Sequence, residues 1–420
     1  IWFLDVRDSK NIRRQISHFH TADALEEFSK DNKAHGFEWL KENPIDIEKL
    51  RYYQKEAIES TEKAVIQHKR AMLVAMATGT GKTYTTVAQI YRLLQSKTAR
   101  KILFLVDRRV LAAQAVREFA SFNTPKGNKF DQEYEVYSQR FHRGDFEDDK
   151  PFNPKVLPNE YLTSPRESHT FVYVSTIQRM TINLFGREQA FSQDSSDPDY
   201  EEDAERLDIP IHAIDVIIAD ECHRGYTKTE TAIWRSVLEH FDAIKIGLTA
   251  TPAVHTLSLF KDVVYRYTTE QAIQDGYLVD YETVKIKSNV RMKGVFLKEG
   301  DPVGVVDTTT GEEIYDELED EREFSSEEIE QKITAPESNR KIIKEIAKYA
   351  YAHEEKTGLF PKILIFAVND LPHISHADQI VSICREEFQQ GDDFVQKITG
   401  SPSVDRPLQK IREFRNRPNP

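Results

Sequence analysis

Short apolar runs alternate with amphipathic segments along the chain from about residue 50 onward. The runs are nearly continuous in Val, Ile, Leu and Phe, which is typical of parallel strands buried on both faces. They predict seven strands: Met72–Ala77, Lys101–Asp107, Thr170–Ser175, Ile214–Ala219, Lys245–Leu248, Lys362–Val368 and Phe394–Ile398. Strand and helix in repetition indicate an α/β fold with doubly wound parallel sheets.

The segments between these runs predict helices. Thr83–Gln95 and Arg109–Phe122 follow the first two predicted strands and carry apolar residues at helical spacing. Asn339–Lys356 has the same spacing, and Gly358 follows it as a helix stop signal. Helices in these positions would cover the faces of the predicted sheets.

Three polar stretches without a clear period interrupt this pattern, and we interpret them as insertions or linkers. They are residues 125–169, 186–210 and 301–326. With the Asn43-Pro44 boundary, they predict three parts: an N-terminal segment over 1–45, a first α/β domain over 46–255, and a connection with a partial second α/β domain over 256–420.

The charge distribution keeps nucleic acid among the candidate partners despite a net charge of −13. Residues 194–205 hold seven acidic and no basic residues, and 312–330 hold eleven acidic residues and one basic residue. Without these two blocks, which we interpret as solvated loops, the remaining residues carry a net charge of +4. The bulk charge therefore does not exclude DNA or RNA.

Cysteine content and hydropathy predict a cytoplasmic protein without a membrane partner. Two cysteines, Cys222 and Cys384, cannot staple a chain of 420 residues, which favours a reducing compartment. The apolar runs are much shorter than the roughly 20 residues of a membrane span. The chain begins with Ile1 and has no signal peptide, so we expect it to be a piece of a longer intracellular protein.

A glycine-containing turn joins the first predicted strand to the first predicted helix. The segment Met76-Ala-Thr-Gly-Thr-Gly-Lys-Thr83 has the Gly-Lys-Thr ending of a phosphate-binding loop, although it begins with Met rather than Gly. Lys82 would reach the β- and γ-phosphates of ATP, and the Thr83 hydroxyl would bind Mg²⁺. The backbone of the turn would surround the phosphates, through Thr78, Gly79, Thr80 and Gly81. An ordinary strand-to-helix turn is the alternative.

Two carboxylates follow the hydrophobic strand Ile214–Ala219, at the sheet edge where open α/β sheets bind ligands. Asp220 is suited to hold the Mg²⁺ ion, and Glu221 to orient or deprotonate the attacking water. A capped strand end is the alternative for such a pair, but the upstream phosphate loop favours the catalytic interpretation. After the next strand, the hydroxyls of Thr249 and Thr251 could relay the nucleotide state to bound nucleic acid.

In this order, the elements resemble those of superfamily 2 helicases and translocases. The Asp-Glu-Cys-His sequence resembles the DExH form of motif II, which implies a catalytic role for His223. Arg51-Tyr-Tyr-Gln54 resembles the adenine-recognising Q element, which implies that Gln54 reads adenine. The segments Leu105–Arg109 and Val174–Arg179 resemble motifs Ia and Ib. This resemblance implies nucleic-acid backbone contacts by Arg108, Arg109 and Arg179.

Flanking residues are most similar to the restriction (R, HsdR-type) subunit of type I restriction–modification enzymes. They include Phe104–Arg109, Asp220–Gly225, Gly247–Pro252 and Glu270–Val279. The resemblance implies two RecA-like domains in tandem, the second incomplete, forming a motor that pumps duplex DNA with ATP and Mg²⁺. It also implies modification (M) and specificity (S) subunits as partners, and a nuclease domain and motifs V–VI, with their arginine finger, outside this chain.

Two other functions stay open at this point. One is a strand-separating DNA or RNA helicase of another superfamily 2 branch. The other is a nucleotide-binding scaffold without hydrolysis, against which the intact Lys82, Thr83, Asp220 and Glu221 argue.

Overall fold

The computed structural model describes most of the chain and divides it into two compact units, residues 1–280 and 281–420. The described residues are 1–4, 6, 13–16, 19–22, 24–26, 33–141, 154–166, 168–190, 203–222, 228–286, 295–297, 302–306, 313–317, 322–324, 335–370, 375–399, 404 and 407–417.

Strands and helices alternate through the first unit. The strands of the chain are β1 Trp2–Phe3, β2 Arg14–Gln15, β3 Ala71–Met76, β4 Lys101–Val106, β5 Glu135–Ser138, β6 Lys155–Val156, β7 Phe171–Thr176, β8 Val216–Ala219, β9 Ile244–Thr249, β10 Asp262–Tyr267, β11 Val295–Leu297, β12 Pro302–Val306, β13 Glu313–Glu317 and β14 Arg322–Phe324. The helices are α1 Lys33–Glu42, α2 Tyr52–Ile66, α3 Lys82–Gln95, α4 Arg109–Ser121, α5 Phe130–Glu133, α6 Asn159–Thr163, α7 Ile177–Phe185, α8 Arg187–Ala190, α9 Lys228–His240, α10 Val254–Phe260, α11 Thr269–Gln274, α12 Pro336–Thr357, α13 His376–Phe388 and α14 Pro407–Asn416.

Eight strands of the first unit form one parallel sheet in the order β10-β3-β9-β8-β4-β7-β5-β6. β3 and β4 are consecutive along the chain but are not neighbours in the sheet, because β9 and β8 lie between them. Because all eight strands are parallel, their carboxyl ends meet at one edge. That edge carries the turns after β3, β4, β8 and β9.

The core of the first unit lies on both faces of this sheet. Alternate residues of β4 separate the two sides: Ile102 and Phe104 pack with helices α2, α3 and α4, while Leu103 and Leu105 pack with α7, α9 and α10. This double burial is why the strands read as continuous apolar runs rather than as alternating ones. The predicted α/β class with a parallel sheet is confirmed.

The first unit extends beyond the boundary predicted at residue 255. β10 pairs in parallel with β3 at the sheet edge, so the chain as far as residue 280 belongs with the first sheet. β5 and β6 lie in the stretch 125–169, which the sequence pattern predicts to be an insertion or linker, and they extend the opposite end of the sheet. These edge strands are short or half-buried, which weakens the hydrophobic signal that sequence patterns depend on.

The described N-terminal residues pack on the first unit. The His20 Nε2 atom lies 3.2 Å from an Asp242 carboxylate oxygen, and the Arg70 guanidinium lies 2.5 Å from the other oxygen. Asp242 lies two residues before β9, so this cluster lies at the amino ends of the strands. It is therefore at the opposite edge from the turns that carry the predicted chemistry.

The second unit contains helices α12 to α14 and two antiparallel strand pairs, β11 with β14 and β12 with β13. β13 and β14 fall in the acidic block 312–330, so the interpretation of that block as a loop is wrong for those residues. Helix α12 ends as predicted at Gly358, which adopts φ 74°.

The two strands predicted in the second unit are not formed as paired strands in the described chain. Ile363 and Ile365 pack on a small core with α12 and α13, whereas Leu364 and Phe366 are exposed. The segment thus alternates in burial like a strand, but only one face is covered. None of the described helices is long and apolar enough to cross a membrane.

Candidate functional site

The turn after β3 forms a loop that leads directly into α3. Gly79 and Gly81 adopt φ 85° and 80°, a left-handed region that favours glycine. Gly81 is the residue that precedes helix α3, so the first free N–H groups of that helix adjoin the loop. Lys82 is the first helical residue and is 8% exposed. Thr78 is exposed, whereas Thr80 is buried and its hydroxyl donates to the Ala77 carbonyl oxygen at 2.6 Å.

Two side chains from the start of α2 donate hydrogen bonds to the backbone of this loop. The Tyr53 hydroxyl donates to the Thr80 carbonyl oxygen at 3.1 Å, and the Gln54 Nε2 atom donates to the same oxygen at 3.0 Å. The Gln54 Oε1 atom accepts from the Arg51 N–H at 2.9 Å and closes the first turn of α2. Gln54 is 5% exposed, so its carboxamide is engaged with the protein backbone, and adenine recognition by this residue stays a prediction.

The close contact between Gly81 and Gln54 predicts a large effect of Gly81→Ala. A Cβ atom at this position would lie 2.5 Å from Gln54 Nε2, so Gln54 would have to leave its bonds to the loop. We expect at least about tenfold weaker binding of Mg·ATP, measured by isothermal titration calorimetry, because a buried hydrogen-bond network is lost.

Gly127→Ala is the matched control. Gly127 also has a positive φ, of 83°, but a Cβ atom there would meet nothing within 4 Å. Both substitutions carry the same type of backbone strain, and only one disturbs the loop. Equal nucleotide affinity in the two variants would contradict this account of the loop.

The two carboxylates after β8 lie at the same sheet edge as the loop. The Asp220 N–H donates to the Leu105 carbonyl oxygen at 2.8 Å, and the Cys222 N–H donates to the Leu248 carbonyl oxygen at 3.1 Å. These bonds hold the segment between the ends of β4 and β9. Glu221, between them, has φ 49°, a left-handed conformation that is uncommon for a residue with a side chain and is frequent at functional sites.

This geometry brings the loop lysine and the acidic pair together. The Lys82 Nζ atom lies 3.5 Å from the Glu221 Oε1 atom, and Glu221 is the more exposed of the two side chains. Asp220 is almost fully buried, and one of its oxygens accepts from the Glu221 N–H at 2.9 Å. Lys82 and Asp220, which are 138 positions apart in the chain, therefore lie in one site, next to each other as the sequence predicted.

Burial, and then the neighbouring Glu221 carboxylate, raise the pKa of Asp220 to about 6, against the lowering effect of Lys82. Two carboxylates facing one lysine leave an excess of negative charge in a buried place. A hard cation such as Mg²⁺ prefers oxygen ligands and would relieve this charge. The residues present therefore fit the predicted metal ligand Asp220, with the half-buried Thr83 hydroxyl at the loop as the second.

The predicted coupling residues differ in exposure. Thr249, the last residue of β9, is fully buried, and its hydroxyl accepts from the N–H of the exposed Thr251 at 3.1 Å. This bond fixes the turn beside Cys222. His223 lies outside the described residues, and its catalytic role stays a prediction.

The three predicted DNA-contacting arginines are not equivalent. Arg108 follows β4, is 73% exposed and pairs with Asp107 at 3.4 Å. Arg109 donates to the Arg140 carbonyl oxygen at 2.6 Å. Arg179 is 7% exposed, and its guanidinium donates to both oxygens of Asp203 at 2.9 and 3.3 Å.

The Arg179 guanidinium is therefore engaged within the protein. Against the effect of burial, its hydrogen bonds and charge lower the pKa of the Asp203 carboxyl. The pattern of motif Ib gives no sign of this partner, which lies 24 residues along the chain, and a nucleic-acid contact by Arg179 stays a prediction.

The sequence pattern did not predict a second group of residues that pack beside the loop. Tyr267 and Asp275 come from the end of β10 and the turn after α11, and Leu278 lies against Gly79. The alternation of Val263, Tyr265 and Tyr267 was a signal for the strand, but no local pattern indicates contact with a loop 190 residues earlier.

The fold and site define an α/β unit that carries a glycine loop of the phosphate-binding type and an acidic pair at the same sheet edge. Residues 47–254 match the family model "Type III restriction enzyme, res subunit". The chain is 32% identical to the type I restriction enzyme EcoKI endonuclease subunit of Escherichia coli (strain K12), covering 100% of this chain and 33% of the relative. It is 28% identical to the EcoAI endonuclease subunit of Escherichia coli, covering 84% of this chain and 37% of that one.

The chain is therefore similar to the endonuclease subunits of type I restriction enzymes, as its motifs predicted. It spans about a third of the length of these curated relatives. Among solved structures, it is similar to the fragment structure of an HsdR subunit from Vibrio vulnificus YJ016, with a TM-score of 0.44 and 18% identity over 90% of this chain and 53% of that chain.

Proposed function

We propose that this chain is the ATP-driven duplex DNA translocase motor of a type I restriction endonuclease R subunit. The observation that carries the proposal is the proximity of Lys82 to the Asp220–Glu221 pair, with 3.5 Å between the Lys82 Nζ and Glu221 Oε1 atoms. Both lie beside a loop in which two glycines adopt left-handed φ angles. Similarity to the endonuclease subunits of type I restriction enzymes supports this interpretation of the site. Binding of M and S subunits, and a cytoplasmic location, are parts of the same proposal.

The chemistry assigned to each residue follows from its position. Loop N–H groups and Lys82 would bind the phosphates, and Asp220 and Thr83 would hold Mg²⁺, which neutralises phosphate charge when bound. Glu221 is more exposed than Asp220 and would orient the attacking water and accept its proton. The ion pair between Lys82 and Glu221 compensates the charges of these two side chains.

A strand-separating helicase is the second candidate, because the same site would serve either motor. The two functions differ in what happens to the duplex. Displacement of a triplex-forming strand without separation of the duplex supports translocation, and release of a duplex strand supports the alternative. Full-length relatives supply the reference for both assays.

We expect the chain to bind duplex DNA without sequence preference through exposed cations at the sheet edge. Arg108→Ala should weaken binding uniformly across sequences and reduce the slope of log K against log salt by about one, because one phosphate contact is lost. Fluorescence anisotropy over a salt series measures both quantities. Arg235→Ala, at an exposed arginine of α9, is the control. Salt-independent binding would contradict the motor.

A further inference from the structure

A network of tyrosines and one carboxylate fastens the phosphate loop at a side that the catalytic residues do not use. Asp275 accepts hydrogen bonds from the hydroxyl of Tyr267, at 2.7 Å, and from the hydroxyl of Tyr52. The Tyr267 ring stacks on the Tyr53 ring with 4.1 Å between centroids and 10° between planes. Both stacked rings are at least 96% buried.

This network ends on the backbone of the loop. Tyr53 donates to the Thr80 carbonyl oxygen, and the Tyr267 carbonyl oxygen accepts from the Ala77 N–H at 3.0 Å. In a trans peptide, the carbonyl and the following N–H point in opposite directions. A Thr80 carbonyl held toward Tyr53 therefore directs the Gly81 N–H away from Tyr53.

The turn after α11 closes the network on its other side. The N–H groups of Tyr277 and Leu278 donate to the Ala272 carbonyl oxygen, at 2.8 and 3.0 Å. This fold-back places Leu278 so close to Gly79 that a Cβ atom there would lie 3.2 Å from its methyl group. The Arg51 guanidinium lies 4.5 Å from the centre of the Tyr277 ring.

The carboxylate of this network is ionised throughout the neutral range. The hydroxyls of Tyr52 and Tyr267 lower the pKa of Asp275, and the hydrogen bond to Asp275 raises the pKa of Tyr52. Asp275 thus accepts from both hydroxyls as a charged group, which gives stronger hydrogen bonds than a neutral acceptor would.

We propose that Asp275 and Tyr267 are positioning residues for nucleotide binding, which act through Tyr53 on the Thr80–Gly81 peptide of the phosphate loop. The inference rests on the proposed function, since it assumes that the loop binds phosphate. According to this proposal, the direction of the Gly81 N–H group depends on the Asp275 carboxylate, which lies 195 residues along the chain from Thr80.

Tyr267→Phe tests the proposal, with Tyr265→Phe as its matched control. Both tyrosines lie on β10 and donate to a carboxylate, but Tyr265 donates at 3.1 Å to Glu56, which lies on α2. We expect Tyr267→Phe, which removes one hydrogen bond, and Asp275→Ala, which removes two, each to weaken Mg·ATP binding to the 420-residue chain at least about fivefold. Tyr265→Phe should change it by less than about twofold.

A double-mutant cycle separates positioning from general stabilisation. If Tyr267 acts through Tyr53, Tyr267→Phe should have no further effect on ATP affinity once Tyr53→Phe has removed the hydroxyl at Thr80. Thermal unfolding, followed by circular dichroism, shows whether affinity merely follows stability. If Tyr267→Phe does not fold, Tyr52→Phe removes the more exposed bond to Asp275, with an expected effect of about twofold.

Each outcome bears on one of the two claims. No Mg·ATP binding by the wild-type chain would overturn the proposed function. Wild-type binding with equal losses in Tyr265→Phe and Tyr267→Phe, or with additive losses in the cycle, would leave the proposed function standing and overturn the positioning role. A selective, non-additive loss supports it.

Discussion

Lys82→Ala is expected to weaken Mg·ATP binding by at least about thirtyfold, because it removes a buried charge that would pair with the phosphates. The side chain is 8% exposed and lies at the mouth of the loop, so water cannot replace it easily. The loss should be larger for ATP than for ADP, since the ammonium group would bind the outer phosphates.

The same substitution leaves the acidic pair without its counter-charge. Lys82 lowers the pKa of Asp220, so its removal raises that pKa further above about 6 and makes Mg²⁺ binding harder at neutral pH. Isothermal titration with Mg·ATP and Mg·ADP measures both effects. Lys126→Ala, at a lysine that is 56% exposed, is the control, and wild-type affinity in Lys82→Ala would show that the loop does not bind phosphate.

Glu221→Gln should leave ATP binding within about threefold of wild type and slow hydrolysis by about 10² or more, the contribution of a positioned general base. Asp220 and Lys82 are retained, so the proposed metal and phosphate ligands stay in place. Removal of the Glu221 charge also takes away the second cause of the raised pKa of Asp220.

The pH dependence gives this variant a second signature. With a lower pKa, Asp220 stays ionised to lower pH, so Mg·ATP binding should persist further into the acid range than in wild type. Single-turnover hydrolysis with the protein in excess measures the rate, and titrations at pH 5.5 and 7.5 measure binding. Glu239→Gln, at a glutamate that is 52% exposed, is the control. Equal loss of binding in Lys82→Ala and Glu221→Gln would overturn this division of roles.

The elements with the strongest local signal were predicted almost to their ends. β3, β4, β7, β8 and β9 are buried on both faces, so each reads as a continuous apolar run. Helix α3 begins at Lys82, one residue before its predicted start. The phosphate loop and the Asp220–Glu221 pair were found because their chemistry demands residue types at fixed spacing after a strand.

The edge strands and the second unit were predicted less well. β10 is half-buried, and the polar residues Asp262 and Arg266 interrupt its Val and Tyr positions, which weakens its hydrophobic signal. In the second unit, Lys362–Val368 has the composition of a strand but pairs with no other strand in the described chain. Strand formation requires a partner, which composition does not supply.

The sequence by itself determined the α/β class, the five central strands, the nucleotide loop and the acidic pair, because local composition and spacing encode each of them. Only the tertiary structure decided that Arg179 is bound to Asp203, that Gln54 supports the loop from below, and that Asp275 reaches it through two tyrosines. Arg179 and Asp203 are 24 positions apart, Gln54 and Thr80 are 26 apart, and Asp275 is more than 190 positions from the loop. The geometry of these contacts depends on how the strands are ordered in the sheet. Strand order is set by packing over the whole unit, so no local pattern carries it.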